Sequence, residues 1–530
     1  MFGVEHLPIL ALIATILYLL QVLVVSFLQS RNQPKVWSKL ETIGISSGGM
    51  FRWAWALTKS IFSTREYASE GYKRFSKALN LPFALPTTWT GRSVVVVPPS
   101  ILHHMLTRPD KLPGSEITNI LGLIETIQLP YVISDPDIYL NALHFDVVRR
   151  KMSKKDMHLF ASMTAEEIDL AFSDIWGTSK EWKTINGWDT CGRVITRTAE
   201  RMMLGLPMGR NEKLLEASRL YANSVLLGGA IMNCFPPWAR KVVAPVIALR
   251  AKFYQKRCVN ILIPIINERI HIFREGKEGD DVPDDFLQWL VEICAKDGLH
   301  QLDAPRIANR LIALMTPLIF AVCYVFAHAV IDLYGSPSKE EFLSGLEAEC
   351  SRVSSLNDGL KTAESVEALY RVDSTIRESM RVSDVAVVNL YRDVISGELD
   401  IGNGIVIPQG VRMAFPTQNI HLDPDTYEDP KRFDAFRFVR KFEGLDETTQ
   451  QQKAQERELI VTPTVSFLPL GYGRHACPGR WFAAQTMKQG LAYIIMNYDV
   501  ELVGPPVKRT ALLNQMIPPV DKQIRIRRKS

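Results

Sequence analysis

The sequence predicts a mainly α protein with small β-sheets, preceded by one transmembrane helix. Three observations lead there. The run Leu7 to Leu28, LPILALIATILYLLQVLVVSFL, carries no charge. From about residue 100 to 385 the patterning is helical, broken by polar loops such as Arg274–Asp285, REGKEGDDVPDD. Strand-like pieces gather near the two ends of the body, at Thr90–Pro99 (TGRSVVVVPP) and at Val385–Val394, Glu398–Val406 and Val411–Phe415.

The first element follows from length. As a helix rising about 1.5 Å per residue, Leu7–Leu28 reaches roughly 33 Å, enough to cross a hydrocarbon core. A cleaved signal peptide fits less well, because the apolar run is long, Glu5 replaces a basic leader and bulky residues occupy the cleavage region. Arg31, Lys35 and Lys39 follow the segment, whereas Glu5 precedes it, so the positive-inside rule places the body in the cytosol. Residues 7–28 are therefore expected as the anchor, 29–89 as a basic and aromatic membrane-proximal connector, and 90–530 as one catalytic domain. Within it, Lys441–Leu459 reads as a solvated insertion, and the apolar pattern around Cys477 continues as a helix to about Tyr498.

Composition narrows the class. A chain of 530 residues, 47% hydrophobic and 22% charged, is globular, and its net charge of +5 is small for that length. No basic stripe interleaved with aromatics and no zinc-finger spacing occurs, so nucleic acid is not an expected partner. Arg525, Arg527, Arg528 and Lys529 read as a solvated tail. The seven cysteines are scattered and never form C-x-x-C, which argues against a disulfide framework or a structural zinc site and for a reducing compartment.

One cysteine stands apart. In Phe467–Lys488, FLPLGYGRHACPGRWFAAQTMK, Gly471 and Gly473 permit a tight path and Pro478 suits the first position of a helix. Cys477 then lies where a glycine-rich loop enters a helix, and the helix dipole and free backbone N–H groups favour its thiolate. A lone soft thiolate suits one axial position on a haem iron, the porphyrin supplying four other ligands.

This loop resembles the haem-binding signature of the cytochrome P-450 superfamily, with Gly473, His475, Cys477 and Gly479 matching position by position. Leu470 departs from it, standing where the family usually has phenylalanine. Other segments fall in the family's order. Glu378 and Arg381 in DSTIRESMR match its E-x-x-R pair, and Arg437 in FDAFRF resembles the third member of the same charged network, with Ala435 in place of a frequent proline. IPQG at Ile407–Gly410 and HLDPDTYEDP at His421–Pro430 lie between them. The wording of DDFLQWL (Asp284–Leu290) and CPGRWFA (Cys477–Ala483) is similar to that of filamentous-fungal secondary-metabolism members.

The resemblance implies a haem-thiolate fold over roughly residues 90 to 520, with Cys477 as axial iron ligand and a structural Glu378–Arg381–Arg437 cluster. It implies Arg392 and His475 as contacts of the haem propionates. Family monooxygenases deliver protons from a long central helix carrying an acid–threonine pair. Here that helix is Arg306–Tyr334, and the preferred register puts Phe320 and Ala321 at the pair, neither able to relay a proton. Pro317 interrupts the helix one turn earlier and frees a carbonyl. A second register puts Thr316 at the alcohol and Met315 at the acid, and His328 is a polar residue further along.

The expected function is accordingly a haem monooxygenase in the endoplasmic-reticulum membrane, single-pass, its catalytic domain facing the cytosol. Electrons would come from NADPH through a membrane-bound reductase, and the substrate would be an apolar small molecule of fungal secondary metabolism: a terpenoid, polyketide or alkaloid. The alternative is a haem isomerase, dehydratase or cyclase needing no external proton delivery. A third is a non-catalytic membrane haem or lipid binder.

Overall fold

The computed structural model describes residues 40–45, 52–87, 93–112, 115–118, 129–233, 235, 237–276, 282–357, 359–445 and 454–529. The expected anchor, Leu7–Leu28, lies outside them, as do parts of the connector and of the Lys441–Leu459 insertion.

The chain opens with helix α1 (Arg52–Gly71) and strand β1 (Phe83–Leu85), which pairs antiparallel with β2 (Val94–Val96). All six strand residues are buried, as the valine run led us to expect. The stretch read as a connector thus contributes a helix and a strand to the body: Tyr67, Ala68, Phe75 and Phe83 share one buried cluster with Val94 and Val96.

Helices follow: α2 (Leu102–Thr107), α3 (Leu143–Lys151), α4 (His158–Ile175), α5 (Gly187–Leu204), α6 (Glu212–Asn233), α7 (Pro237–Ile247), α8 (Leu249–Arg274), α9 (Phe286–Asp297), α10 (Ala304–Tyr334), α11 (Lys339–Leu356) and α12 (Tyr370–Val382). Strands β3 (Lys111–Leu112), β4 (Ser115–Thr118) and β5 (Lys183–Asn186) interrupt them. After α12 come β6 (Asn389–Asp400), β7 (Val406–Pro408), β8 (Arg412–Phe415), α13 (Arg480–Asn497), β9 (Tyr498–Leu502), β10 (Ala511–Leu512), β11 (Gln515–Met516) and β12 (Gln523–Arg528).

The axis of the body is α10. The Asp303 side chain caps its start by accepting from the Arg306 N–H at 3.0 Å, and Pro305 occupies the first turn, where no N–H is needed. Its sequence is apolar around most of the circumference, the signature of a helix enclosed on all sides. Helices α5, α6, α8 and α12 surround it. Among the described residues it is the one helix long and apolar enough to cross a membrane, yet it is largely buried inside the protein.

The larger sheet runs β1-β2-β8-β6-β4-β3, with β7 on β6; β2 and β8 are parallel, the other pairs antiparallel. Two expectations change here. Val385–Val394 is not one strand: residues 385–388 instead bond to the β10–β11 hairpin, Val387 N–H to Asn514 O and Met516 N–H to Val385 O, each at 3.0 Å. The ladder starts at Asn389, where Leu390 has a φ of 59° and the register shifts. Glu398–Val406 likewise splits, Glu398–Asp400 ending β6 and Val406 opening β7, because a turn at Gly402 and Gly404 reverses the chain.

The basic C-terminus is also not a free tail. Strand β12 is the centre of a three-stranded sheet, with Ile524 and Ile526 buried inward. On its other face Arg525 and Arg527 straddle the Trp182 ring at 4.9 and 4.7 Å and pair with Glu501 and Asp499. Cys191, Cys258, Cys294, Cys323 and Cys350 are free and buried, and burial pushes each thiol pKa up.

Candidate active site

The loop carrying Cys477 depends on two glycines with left-handed backbone. Gly471 has a φ of 76° and Gly473 of 64°. A Cβ on Gly473 would stand 2.3 Å from the carbonyl oxygen of Leu106, so the loop lies directly on the end of α2. The Cys477 N–H then donates to Leu470 O at 2.7 Å, closing the turn, and α13 begins three residues later.

The thiol is in an apolar setting, and burial raises its pKa most. Backbone N–H groups of Gly479 and Arg480 and the Arg480 guanidinium oppose that shift. The opposing groups are those that a helix start provides for a sulfur anion.

Cys477 forms part of the wall of a cavity of about 220 Å³ whose opposite side is α10. The helix turns Leu314, Pro317, Leu318, Ala321, Val322 and Val325 towards it. Met380, Val385, Leu470, Phe482 and Met487 complete much of the lining. Ala321 is therefore on the cavity. Phe320 is not: its ring lies against Tyr324, centroids 6.1 Å apart. Thr316 is buried off the cavity wall, its hydroxyl donating to Ile312 O of the same helix at 3.1 Å. Met315 is also buried elsewhere, and Pro317 meets the cavity directly.

The charged network is assembled in full. Arg381 donates to both oxygens of Glu378 at 2.8 Å, and Arg437 Nε lies 3.1 Å from each of them. Arg381 also bonds the carbonyls of His421 and Pro430 at 2.7 Å, pinning the segment that precedes the cysteine loop.

Beside that loop three basic groups gather around one carboxylate. His475 Nε2 is 2.8 Å from Asp110 Oδ1, and the same Asp110 acts electrostatically on the buried Arg108 and Arg392. Arg392 donates to the carbonyls of Leu390 and Tyr391, and burial holds its pKa down to about 10. No carboxylate among the described residues bonds it directly. A buried guanidinium with so little counter-charge is matched by an anion brought from outside.

These features fit a haem: a sulfur at one wall, apolar surfaces across the cavity, and surplus positive charge where propionates would lie. Sequence reasoning missed several residues here. Ser383 and Asp384 are polar residues on the cavity wall, and Asp384 Oδ2 lies 3.0 Å from His421 Nδ1. His421 Nε2 accepts from the Leu468 N–H at 2.9 Å, while its Nδ1 and Asp384 Oδ2, though close, make no hydrogen bond with each other. The dipeptide sits between two segments whose patterns were informative, but nothing local marks it.

Comparison with known proteins agrees with this geometry. The profile of the cytochrome P-450 family matches residues 148–524. The chain is 34% identical over 494 residues to the cytochrome P-450 monooxygenase gloP of Glarea lozoyensis, covering 89% of this chain and 88% of that protein. It is 34% identical over 506 residues to the monooxygenase htyF of Aspergillus rugulosus, covering 92% and 72%. A third relative, okaG of Penicillium ochrochloron, is 26% identical over 499 residues, covering 90% and 91%. With its helical body, small sheets and cysteine loop, this chain belongs to the cytochrome P-450 family and is a haem-dependent oxidoreductase of the monooxygenase class.

Proposed function

We propose that this enzyme is a membrane-bound monooxygenase that oxidises an apolar small molecule in fungal secondary metabolism, a terpenoid, polyketide or alkaloid, with Cys477 as the axial thiolate. The observation that carries the reading is the Cys477 sulfur in the wall of an apolar cavity facing α10. Haem, when bound, supplies the chemistry that puts one atom of dioxygen into substrate and releases the other as water, at the expense of NADPH. The protein holds and tunes the group. Cys477 would ligate it, Arg392 and His475 would bind its carboxylates, and the Glu378–Arg381–Arg437 cluster fixes the core that presents the loop.

The remaining assignments have separate support. Val148 of α3 faces Gly479, so the exposed cations Arg149, Arg150 and Lys151 at the end of α3 flank the Cys477 side. Such a cluster suits docking of an acidic NADPH-dependent reductase. For the membrane, Leu7–Leu28 is the span, with the body on the cytosolic side of the endoplasmic reticulum. Exposed Leu227, Ile231, Val242, Val246, Leu249 and Phe253, on α6, α7 and α8, offer further apolar contact with lipid.

Replacing Cys477 by Ala tests the carrying observation. The reduced carbon-monoxide band typical of thiolate haem should vanish; its persistence would remove Cys477 as ligand. Untargeted metabolite comparison of hosts with and without the gene, under isotope-labelled dioxygen, identifies the substrate and shows whether its product gains labelled oxygen. A second reading, rearrangement or dehydration, is favoured by the cavity face of α10, where Pro317, Ala321 and Val325 offer no proton. That reading requires product without NADPH and without label.

A further inference from the structure

The face that α10 turns to the cavity carries no acid–alcohol pair, but a polar corner elsewhere on the wall, at Ser383 and Asp384, leads away from it. Ser383 Oγ donates to Asp332 Oδ2 at 2.8 Å, and Ser379 Oγ donates to the same oxygen at 2.7 Å. Arg509 joins them, Nη2 to Asp332 Oδ1 at 2.6 Å and Nε to Ser383 Oγ at 2.9 Å. The Arg509 side chain is 30% exposed and that of Asp332 6%. A continuous hydrogen-bonded seam therefore runs from solvent to the cavity along the last turns of α10.

One turn before Asp332 on that helix is His328, also buried, with neither ring nitrogen partnered among the described residues. Its ring lies against Trp188 and Tyr324, and the Tyr324 hydroxyl donates to Asp384 O at 3.3 Å. Buried imidazole nitrogens are normally satisfied, and where protein does not do so ordered water does. Water held at His328 would lie beside Asp332. Burial keeps the His328 pKa down at about 4, with Asp332 opposing and Arg509 adding, so the ring is neutral at working pH and adds no charge to the seam.

We propose that the Arg509–Asp332–Ser383 seam, with water held by His328, is the route by which protons reach the cavity, taking the place of the missing acid–alcohol pair. In each transfer Asp332, the acceptor of the Ser383 hydroxyl, first takes a proton from water at the Arg509 end; the Ser383 O–H then turns from Asp332 and gives its proton to the cavity while Ser383 Oγ takes the proton from Asp332, which is left a carboxylate, so the chain returns unchanged. Arg509 keeps its proton and holds the two acceptors together; Arg65, which donates to Arg509 O at 2.6 Å, steadies it. This inference rests on the monooxygenase reading above.

Two measurements test it, one of them independent of turnover. The first is deuterium exchange at the imidazole C2–H in the intact protein, comparing His328 with His421, which is also buried but whose Nε2 accepts from the Leu468 N–H, each rate taken relative to that set by the ring's own measured pKa. A watered seam makes His328 exchange at least about tenfold faster, whereas equal slow exchange overturns the proposal. The second is NADPH oxidation with reductase and dioxygen, no substrate added, in the wild type and Ser383→Ala. The variant should be slower by about tenfold, with a larger solvent isotope effect and an unchanged carbon-monoxide band. Unaltered rate and isotope effect overturn the proposal. Asp332→Asn, if it folds, should reproduce the Ser383→Ala effect. A wild-type protein that binds haem but takes no electrons from any reductase defeats the monooxygenase reading instead, and the exchange comparison then decides the seam alone.

Discussion

Glu378 and Arg381 form a two-bond pair, Nε to Oε2 and Nη2 to Oε1 each at 2.8 Å, with both side chains wholly buried. A buried ion pair is stabilising only when its remaining groups are also satisfied. Here they are: Arg437 adds a second cation to Glu378, and carbonyls of His421 and Pro430 take another Arg381 nitrogen. Glu378→Gln leaves two guanidiniums without their counter-charge, and we expect a loss of about 3–5 kcal/mol in unfolding free energy. Denaturant titration checks this, and the fraction of protein that retains haem should fall with it. Arg437→Lys should cost far less, because that side chain is partly exposed and water can replace its bonds.

The contrast between this network and the seam shows what a sequence makes legible. Glu378 and Arg381 are three residues apart on one helix, so their meeting is local and readable. The Cys477 loop is equally local, its glycines and cysteine within one short run. Ser383 and Asp332 are separated by 51 residues, and Ser383 and Arg509 by 126, so only the folded chain brings them together. The C-terminal strand was legible and overlooked: Ile524 and Ile526 alternate with Arg525 and Arg527, a half-buried strand pattern hidden by the density of charge.

Gly473→Ala should fail for two reasons that add. The backbone there has a φ of 64°, and the new methyl would stand 2.3 Å from the Leu106 carbonyl oxygen. Left-handed backbone alone costs about 1–2 kcal/mol, and relief of the clash must move the loop off α2. We expect the folded protein to lose most of its haem, read as the ratio of haem to protein absorbance. Full haem loading with an unshifted carbon-monoxide band would contradict the close approach.

Thr316→Val addresses which face of α10 meets the chemistry. The Thr316 hydroxyl donates to Ile312 O and is absent from the cavity wall, whereas Ala321 is on it. Removing the hydroxyl should leave NADPH oxidation within about twofold and change stability by no more than about 1 kcal/mol. Ala321→Thr, by contrast, places a hydroxyl in the cavity and should shift the carbon-monoxide spectrum. If Thr316→Val instead cuts turnover tenfold or more and Ala321→Thr changes nothing, the facing assigned to the helix is wrong.

Glu200, on α5, makes stability depend on pH. It is enclosed, with one carboxyl oxygen bonded by Ser218 and the other unpartnered among the described residues. Burial, opposed by the Ser218 bond, pushes its pKa from 4.5 up to about 8. The folded chain therefore keeps a proton that the unfolded chain releases near 4.5. This contribution to stability is complete below about pH 4.5, declines as pH rises towards 8, and is gone above it, at about 1.4 kcal/mol for each pH unit between. Glu200→Gln keeps the shape and removes the titration. We expect the variant to gain on the wild type in urea unfolding as pH is raised from about 5.5 to about 7.5, by a few kcal/mol at the upper end. Curves that stay parallel across that range would mean that Glu200 is ionised in the folded protein, with a cation or water reaching the oxygen that has no partner.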